Sequence, residues 1–429
     1  TMRGTALIRL GTTTAMPRVL LIAPRSLEGE LRGLLGRGAA VVGSWDGTSP
    51  EELRCGIAAG RPSHIVHASL LAGSQPLLQD GHLRADLHFS ELARALASWA
   101  ASCTDPLPSL LCLRHHSLPD AQQTLDYMLA GAAFAPALCK ALAAEVVGMR
   151  RAAVIDLPRG SSASRVAACV LAELGGVSDL DMEVWYGADG RRQVKRYLSI
   201  GRELQAEAAA PERPTPWLRP GAYVVTGGLG DIGRGVVSMI LSEEACQGSR
   251  VLIIGRRPAA EVRRQLASLG WGHGSPVAYA SVDLGMHPDA LTAALRRFLE
   301  GGAQRLVGIF HLAGSYDRAE LAALSAEQVA DATRAKARGA VHLDLAARQL
   351  LQRPAFVHFG SVATVYAGIG LGCYAAGNDF LEWFTTHQRG KRGLSQTRYR
   401  LCPCRSPVPP ARAARPCRPP VAARPCRPP

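Results

Sequence analysis

The chain has 429 residues, 47% hydrophobic and 20% charged, which accommodates two or three globular domains with an ordinary soluble composition. No apolar run reaches the roughly 18 residues that a membrane-spanning helix needs, so a transmembrane role is excluded. The net charge of +14 suggests a nucleic-acid partner only until it is located. Residues 388–429 carry eleven Lys or Arg and no Asp or Glu, leaving the remainder at +3, so no nucleic-acid role is expected. The eleven cysteines lack the paired, regular spacing of a metal site. Reduced thiols and a cytoplasmic location are expected.

Residues 1–16 are basic and Thr-rich and read as the ragged edge of a domain. Over 17–200, short apolar runs alternate with stretches of helical period. Strands are predicted at 18–23, 40–43, 64–68, 110–113 and 153–157. Helices are predicted around Leu31, Leu53 and Leu92, over 129–146 and over 166–174. This rhythm predicts a doubly wound α/β subdomain. Its first strand runs into Pro24-Arg25-Ser26 rather than a phosphate-binding glycine turn. Residues 182–186 and 193–197, around Ala188-Asp189-Gly190, predict a β-hairpin. Residues 201–217 form a Pro/Ala/Glu-rich linker.

A second α/β rhythm occupies 218–392. A strand at 222–225 enters Thr226-Gly227-Gly228-Leu229-Gly230-Asp231-Ile232-Gly233, and a helix follows. Strand, G-x-G-x-x-G and helix in that order form a dinucleotide site. Absent side chains admit the pyrophosphate, and the helix N-terminus offers free N–H groups. The next strand, 250–254, ends in Gly255-Arg256-Arg257. Two arginines suit the 2′-phosphate of NADP better than the ribose hydroxyls of NAD. Asp283 and Leu284 follow the third strand, where Asp283 can meet the adenine amino group. His311-Leu312-Ala313-Gly314 follows the fourth strand, beside the expected ribose and nicotinamide.

The fifth strand leads to Ser361; thirteen residues later comes Tyr374, opening Tyr374-Ala375-Ala376-Gly377-Asn378, and Lys336 lies upstream on a helix predicted over 329–345. Ketone reduction needs a hydride donor and an acid for the emerging alkoxide. A phenol is reluctant to ionise at its usual pKa of about 10, and a nearby ammonium stabilises its anion. Ser361 is expected to hydrogen-bond the carbonyl and Tyr374 to donate the proton. Lys336 is expected to tune Tyr374 and hold the ribose, and Asn378 to seat a relay water.

The stretches 226–233, 255–257, 311–314, 334–343 and 356–381 resemble the ketoreductase domains of modular polyketide synthases, in the short-chain dehydrogenase/reductase superfamily. Asn378 stands where ordinary members of the superfamily carry lysine, and Lys336 stands upstream, the exchanged arrangement typical of modular ketoreductases. The resemblance implies two Rossmann-like doubly wound parallel-sheet subdomains, the first degenerate and structural. It also implies NADPH as cofactor and a β-ketoacyl chain on the phosphopantetheine arm of an acyl carrier protein as substrate. The other domains of a polyketide synthase are the implied partners. Two alternatives remain: a non-catalytic structural ketoreductase-like domain, and a stand-alone short-chain alcohol dehydrogenase.

Two features depart from the family pattern. Tyr316-Asp317-Arg318 stands where one stereochemical class carries Leu-Asp-Asp, and Tyr366 stands near the place of the other class's tryptophan, which favours that second class. Over 393–429 the expected tryptophan strand, lid helix and closing strand do not follow. A Pro/Arg/Cys-rich tail instead repeats AARPCRPP at 413–420 and 422–429. This shift reads as a change of reading frame and implies disorder and weakened activity.

Overall fold

The computed structural model describes residues 16–23, 25–45, 50–71, 89–102, 104–115, 131–149, 151–175, 181–196, 218–302, 305–316 and 318–392. The linker at 201–217, Tyr197 and the tail from 393 onward lie outside the described residues. Two sheets organise the chain.

The first sheet has seven strands: β1 (Arg18–Ile22), β2 (Ala40–Trp45), β3 (His64–Leu70), β4 (Ser109–His115), β5 (Ala152–Leu157), β6 (Glu183–Tyr186) and β7 (Arg192–Val194). Their order is β2-β1-β3-β4-β5-β6-β7, with every pairing parallel except β6 with β7. The connecting helices are α1 (Arg25–Leu35), α2 (Pro50–Gly60), α3 (Phe89–Ser102), α4 (Ala135–Glu145) and α5 (Ala163–Leu174). Helix α4 starts later than the apolar period over 129–146 suggests. A 3-10 turn over Gly131–Phe134 precedes it, and Pro136 occupies its first turn, where a missing N–H costs nothing.

The hairpin forms because Gly190 takes φ +81°, the left-handed region that glycine enters without penalty. It is docked by a buried charge cluster. Glu173 on α5 accepts from Arg151 Nη2, Arg192 Nε and the Tyr186 hydroxyl, each at 2.7 Å. Arg192 also reaches Asp181 at 2.8 Å.

The second sheet has strands β8 (Ala222–Thr226), β9 (Arg250–Gly255), β10 (Val277–Ser281), β11 (Leu306–His311) and β12 (Ala355–His358). They are ordered β10-β9-β8-β11-β12 and are all parallel. Helices α6 (Asp231–Ser242), α7 (Ala259–Ser268), α8 (Pro288–Glu300), α9 (Ala326–Gln349) and α10 (Gly372–Arg392) complete this unit. Strand β8 is buried along its whole length, as parallel strands covered on both faces are. Its neighbours β9 and β11 continue in opposite directions across the sheet. The crevice between the loops after β8 and β11 is therefore the switch point where open α/β sheets bind ligands.

One hydrophobic core crosses from the first unit to the second, joining Leu110 and Leu138 to Val341, Phe380 and Phe384. Phe134 stacks on Phe380 at 5.4 Å. Among the described residues, no helix is long and apolar enough to cross a membrane. Substituting Glu173→Ala leaves Arg151 buried without a carboxylate, with only the Asp181 carbonyl, among the described residues, to accept from it. We expect a loss of about 3–5 kcal/mol, read as a lower urea midpoint; a change under about 1 kcal/mol would remove the cluster from the account of hairpin docking.

Candidate active site

The glycine turn is set by close backbone packing. Gly227 adopts φ +68° and its N–H donates to Ile254 O at 3.0 Å. A Cβ on Gly233 would stand 2.3 Å from Gly227 O, and one on Gly228 would stand 2.9 Å from Ile253 Cγ2. Helix α6 therefore sits directly on the turn. Gly230 is its N-cap, with no side-chain cap bond, and uncapped N–H groups at a helix start attract anions. Asp231 pairs with Arg234, and Ile232 is exposed. Leu229 is tethered through its carbonyl to Gln265 Nε2 at 3.5 Å.

Arg256 and Arg257 are exposed at the end of β9. Their carbonyls accept from Ser281 Oγ at 3.3 Å and the Tyr279 hydroxyl at 2.7 Å. The Arg257 guanidinium donates to Gln265 Oε1 at 2.7 Å. Asp283 closes a local turn by accepting from Gly285 N at 2.9 Å. Leu284 is buried, and its carbonyl meets His342 Nδ1 at 2.6 Å.

Thr226 and His311 occupy a different place from the one their sequence context suggests. Both are fully buried. Thr226 Oγ1 accepts the N–H groups of Leu312 and Ala313, each at 3.1 Å, and lies 2.8 Å from His311 Nδ1. His311 Nε2 lies 3.0 Å from Lys336 O. A carbonyl can only accept, so Nε2 carries the proton and Nδ1 accepts from the threonine hydroxyl. His311 thus braces β8, β11 and α9 from beneath, while Ala313 and Gly314 stand above it at the strand end.

Helix α9 starts at a capping box between Ser325 and Gln328 and carries Lys336, which is only 3% exposed. Lys336 Nζ donates to Phe359 O at 2.9 Å and lies 5.8 Å from the centroid of the Tyr374 ring. Gly314 clears its path: a Cβ there would stand 2.8 Å from Lys336 Cε, whereas one on Gly377 would make only ordinary contact with its Cδ at 3.4 Å.

Asn378 Nδ2 donates to Tyr374 O at 2.7 Å, one helical turn back. Its Oδ1 is buried without a hydrogen-bond partner among the described residues. Ser361 opens the 3-10 turn Val362–Thr364, and its Oγ accepts from Ala363 N at 3.2 Å, which leaves the hydroxyl proton to donate elsewhere. Lys336, Tyr374 and Asn378 are thus brought together, with Ser361 two residues beyond the carbonyl that holds the ammonium. Arg256, Arg257 and Asp283 lie at the other end of the crevice, after β9 and β10.

The sequence reading missed Phe359 O as the lysine's acceptor. The Tyr316 ring, singled out in the sequence for the motif that Tyr316-Asp317-Arg318 replaces, packs at 5.1 Å from that of Tyr374, a contact the motif did not foretell. A backbone acceptor leaves no mark on residue type.

Burial and the neighbouring His358 push His311 down to about 3. The folded state therefore favours the neutral ring. Its contribution is complete above the ordinary value near 6.5 and is lost as pH falls toward 3. Denaturant midpoints measured across that window should fall more steeply in the parent protein than in His311→Gln; parallel curves would exclude His311 as the source.

Residues 221–405 match the model of the KR domain family. Polyketide synthase GfsB of Streptomyces halstedii is 34% identical over 240 residues, covering 55% of this chain and 4% of that protein. Erythronolide synthase EryA3 of Saccharopolyspora erythraea is 30% identical over 244 residues, covering 56% and 7%. The chain thus spans only a small part of these relatives. A solved A1-type ketoreductase is 27% identical with a TM-score of 0.62, covering 88% of this chain and 77% of its own. A multidomain nonribosomal peptide synthetase structure with a ketoreductase gives a TM-score of 0.70 at 20% identity, a likeness of fold. Mixed α/β architecture, glycine turn and family match agree: residues 221–405 carry a KR domain, on the fold of solved ketoreductases from modular polyketide synthases.

Proposed function

We propose that this protein reduces a β-ketoacyl thioester, carried on the phosphopantetheine arm of an acyl carrier protein, to the β-hydroxyacyl thioester with NADPH. The observation that carries this reading is the placement of Lys336. An ammonium delivered from α9 lies over the Tyr374 ring and is held by Phe359 O, while Asn378 occupies the position one turn after the tyrosine.

The residues present fit a dinucleotide phosphate. Side chains at Gly228 and Gly233 would collide with the fold, and the uncapped start of α6 supplies N–H donors for the pyrophosphate. Gly228, Gly230 and Gly233 would hold the pyrophosphate, Arg256 and Arg257 the 2′-phosphate, Asp283 the adenine, and Ala313 with Gly314 the ribose. NADPH, when bound, supplies a hydride to the carbonyl carbon.

The chain's own residues do the rest. Ser361 donates a hydrogen bond to the ketone oxygen and favours the charge that develops there. Tyr374 gives that oxygen its phenolic proton as the alkoxide forms. The adjacent ammonium stabilises the phenolate left behind. The buried Oδ1 of Asn378 offers an acceptor for a water through which Tyr374 is reprotonated.

Ketone-dependent loss of NADPH absorbance, measured with a β-ketoacyl thioester, tests the reading. Tyr374→Phe should lower kcat/KM by about 10²–10⁴-fold, the usual worth of a general acid; an undiminished rate in that variant, or none in the parent, would sink it. For cofactor choice, Arg256→Ala combined with Arg257→Ala should raise KM for NADPH about tenfold or more and leave KM for NADH nearly unchanged. An equal change for both cofactors would argue against arginine recognition of the 2′-phosphate.

A further inference from the structure

Three side chains of the first subdomain bond directly to the backbone of the second. Lys140 on α4 donates to Thr364 O at 2.6 Å and pairs with Glu183 at 2.7 Å. Glu145, at the end of the same helix, accepts Leu321 N at 2.7 Å on one oxygen and Gly370 N at 3.1 Å on the other. Arg94 on α3 donates to Leu324 O at 2.7 Å.

The charges match the groups they meet. Cations face carbonyls at the ends of short turns, and the carboxylate faces two N–H groups. Charge-assisted bonds of this kind are about twice as strong as neutral ones.

The backbone they hold is the backbone of the site. Thr364 ends the turn that Ser361 opens. Leu321 begins the 3-10 turn Leu321–Ala323, five residues after Tyr316, whose ring packs on Tyr374. Gly370 stands two residues before α10 and takes φ +71°. Gly370 O also accepts from Ala319 N at 3.2 Å, so the two loops are tied to each other as well as to Glu145.

We propose that Lys140 and Glu145 are positioning residues that set Ser361, Tyr374 and Tyr316 from the opposite subdomain and thereby fix the face on which the ketone is presented. The site so positioned is the one assigned to ketone reduction above, and the inference rests on that assignment.

Hydrogen-exchange mass spectrometry tests the positioning without turnover. Glu145→Gln keeps the size of the side chain but sets an amide donor against a backbone N–H. Exchange over 318–325 and 365–371 should quicken by about fivefold or more, with β8 unchanged. Unaltered exchange in those two segments overturns the proposal whether or not the protein is active.

Kinetics add the functional arm. In Glu145→Gln and Lys140→Met, kcat for the β-ketoacyl thioester should fall on the order of tenfold. The ratio of the two alcohol enantiomers should shift, and NADPH affinity should hold. Lys140→Arg, which keeps the cation, should restore both rate and ratio. Rates and ratios within about twofold of the parent in both variants overturn the proposal. Should Glu145→Gln fail to fold, the lysine pair carries the same readouts. A parent that reduces no ketone removes the assigned reaction, and the exchange data alone then decide the positioning.

Discussion

The site depends on the burial of one ammonium. A cation withdrawn from water must find acceptors or lose its proton, and Lys336 meets this demand with Phe359 O and the face of Tyr374. Much of the local architecture follows. Glycine at 314 lies beside its stem because a side chain there would fill the path. Strand β12 must end where its following carbonyl can receive the charge, and α9 must pack against α10 so that the lysine arrives beside the tyrosine. His311 and Thr226 then fix α9 against β8 and β11 from the rear. A lysine on the tyrosine's own helix would need none of this scaffolding. Moving it to a neighbouring helix makes the site a product of tertiary structure.

The first subdomain is part of that tertiary structure. Its strand-to-helix turns lack a glycine cradle, yet α4 lies in a core shared with α9 and α10. Burying apolar surface on these helices ties the two units together. The buried cluster around Glu173 serves the far edge of the same sheet. There it docks an antiparallel hairpin, so β6 pairs with β7 instead of presenting an open edge.

Legibility in the sequence tracked the range of the interactions. Parallel strands were readable as apolar runs, and the glycine turn as a strand–turn–helix pattern, because both are local. The pairing of Lys336 with Tyr374 was readable through family resemblance, since 38 residues of chain separate them. His311 was assigned to the cofactor because it adjoins Ala313 and Gly314; the structure buries its ring under the site instead. Glu145 with Leu321 and Arg94 with Leu324 are separated by 176 and 230 residues. Such pairs leave no periodicity, and an acidic residue at a helix end looks the same whether it faces water or another subdomain.

The core that crosses from α4 to α10 bears on how the two subdomains could be recombined with those of a related chain. A crossover between β7 and β8 would leave both sheets covalently whole, yet it would pair an α4 of one ancestry with an α10 of another. Close-packed interiors tolerate mismatched volumes poorly, and the stack of Phe134 on Phe380 would have to be rebuilt by chance. Physically, the two subdomains form one packing unit through this core.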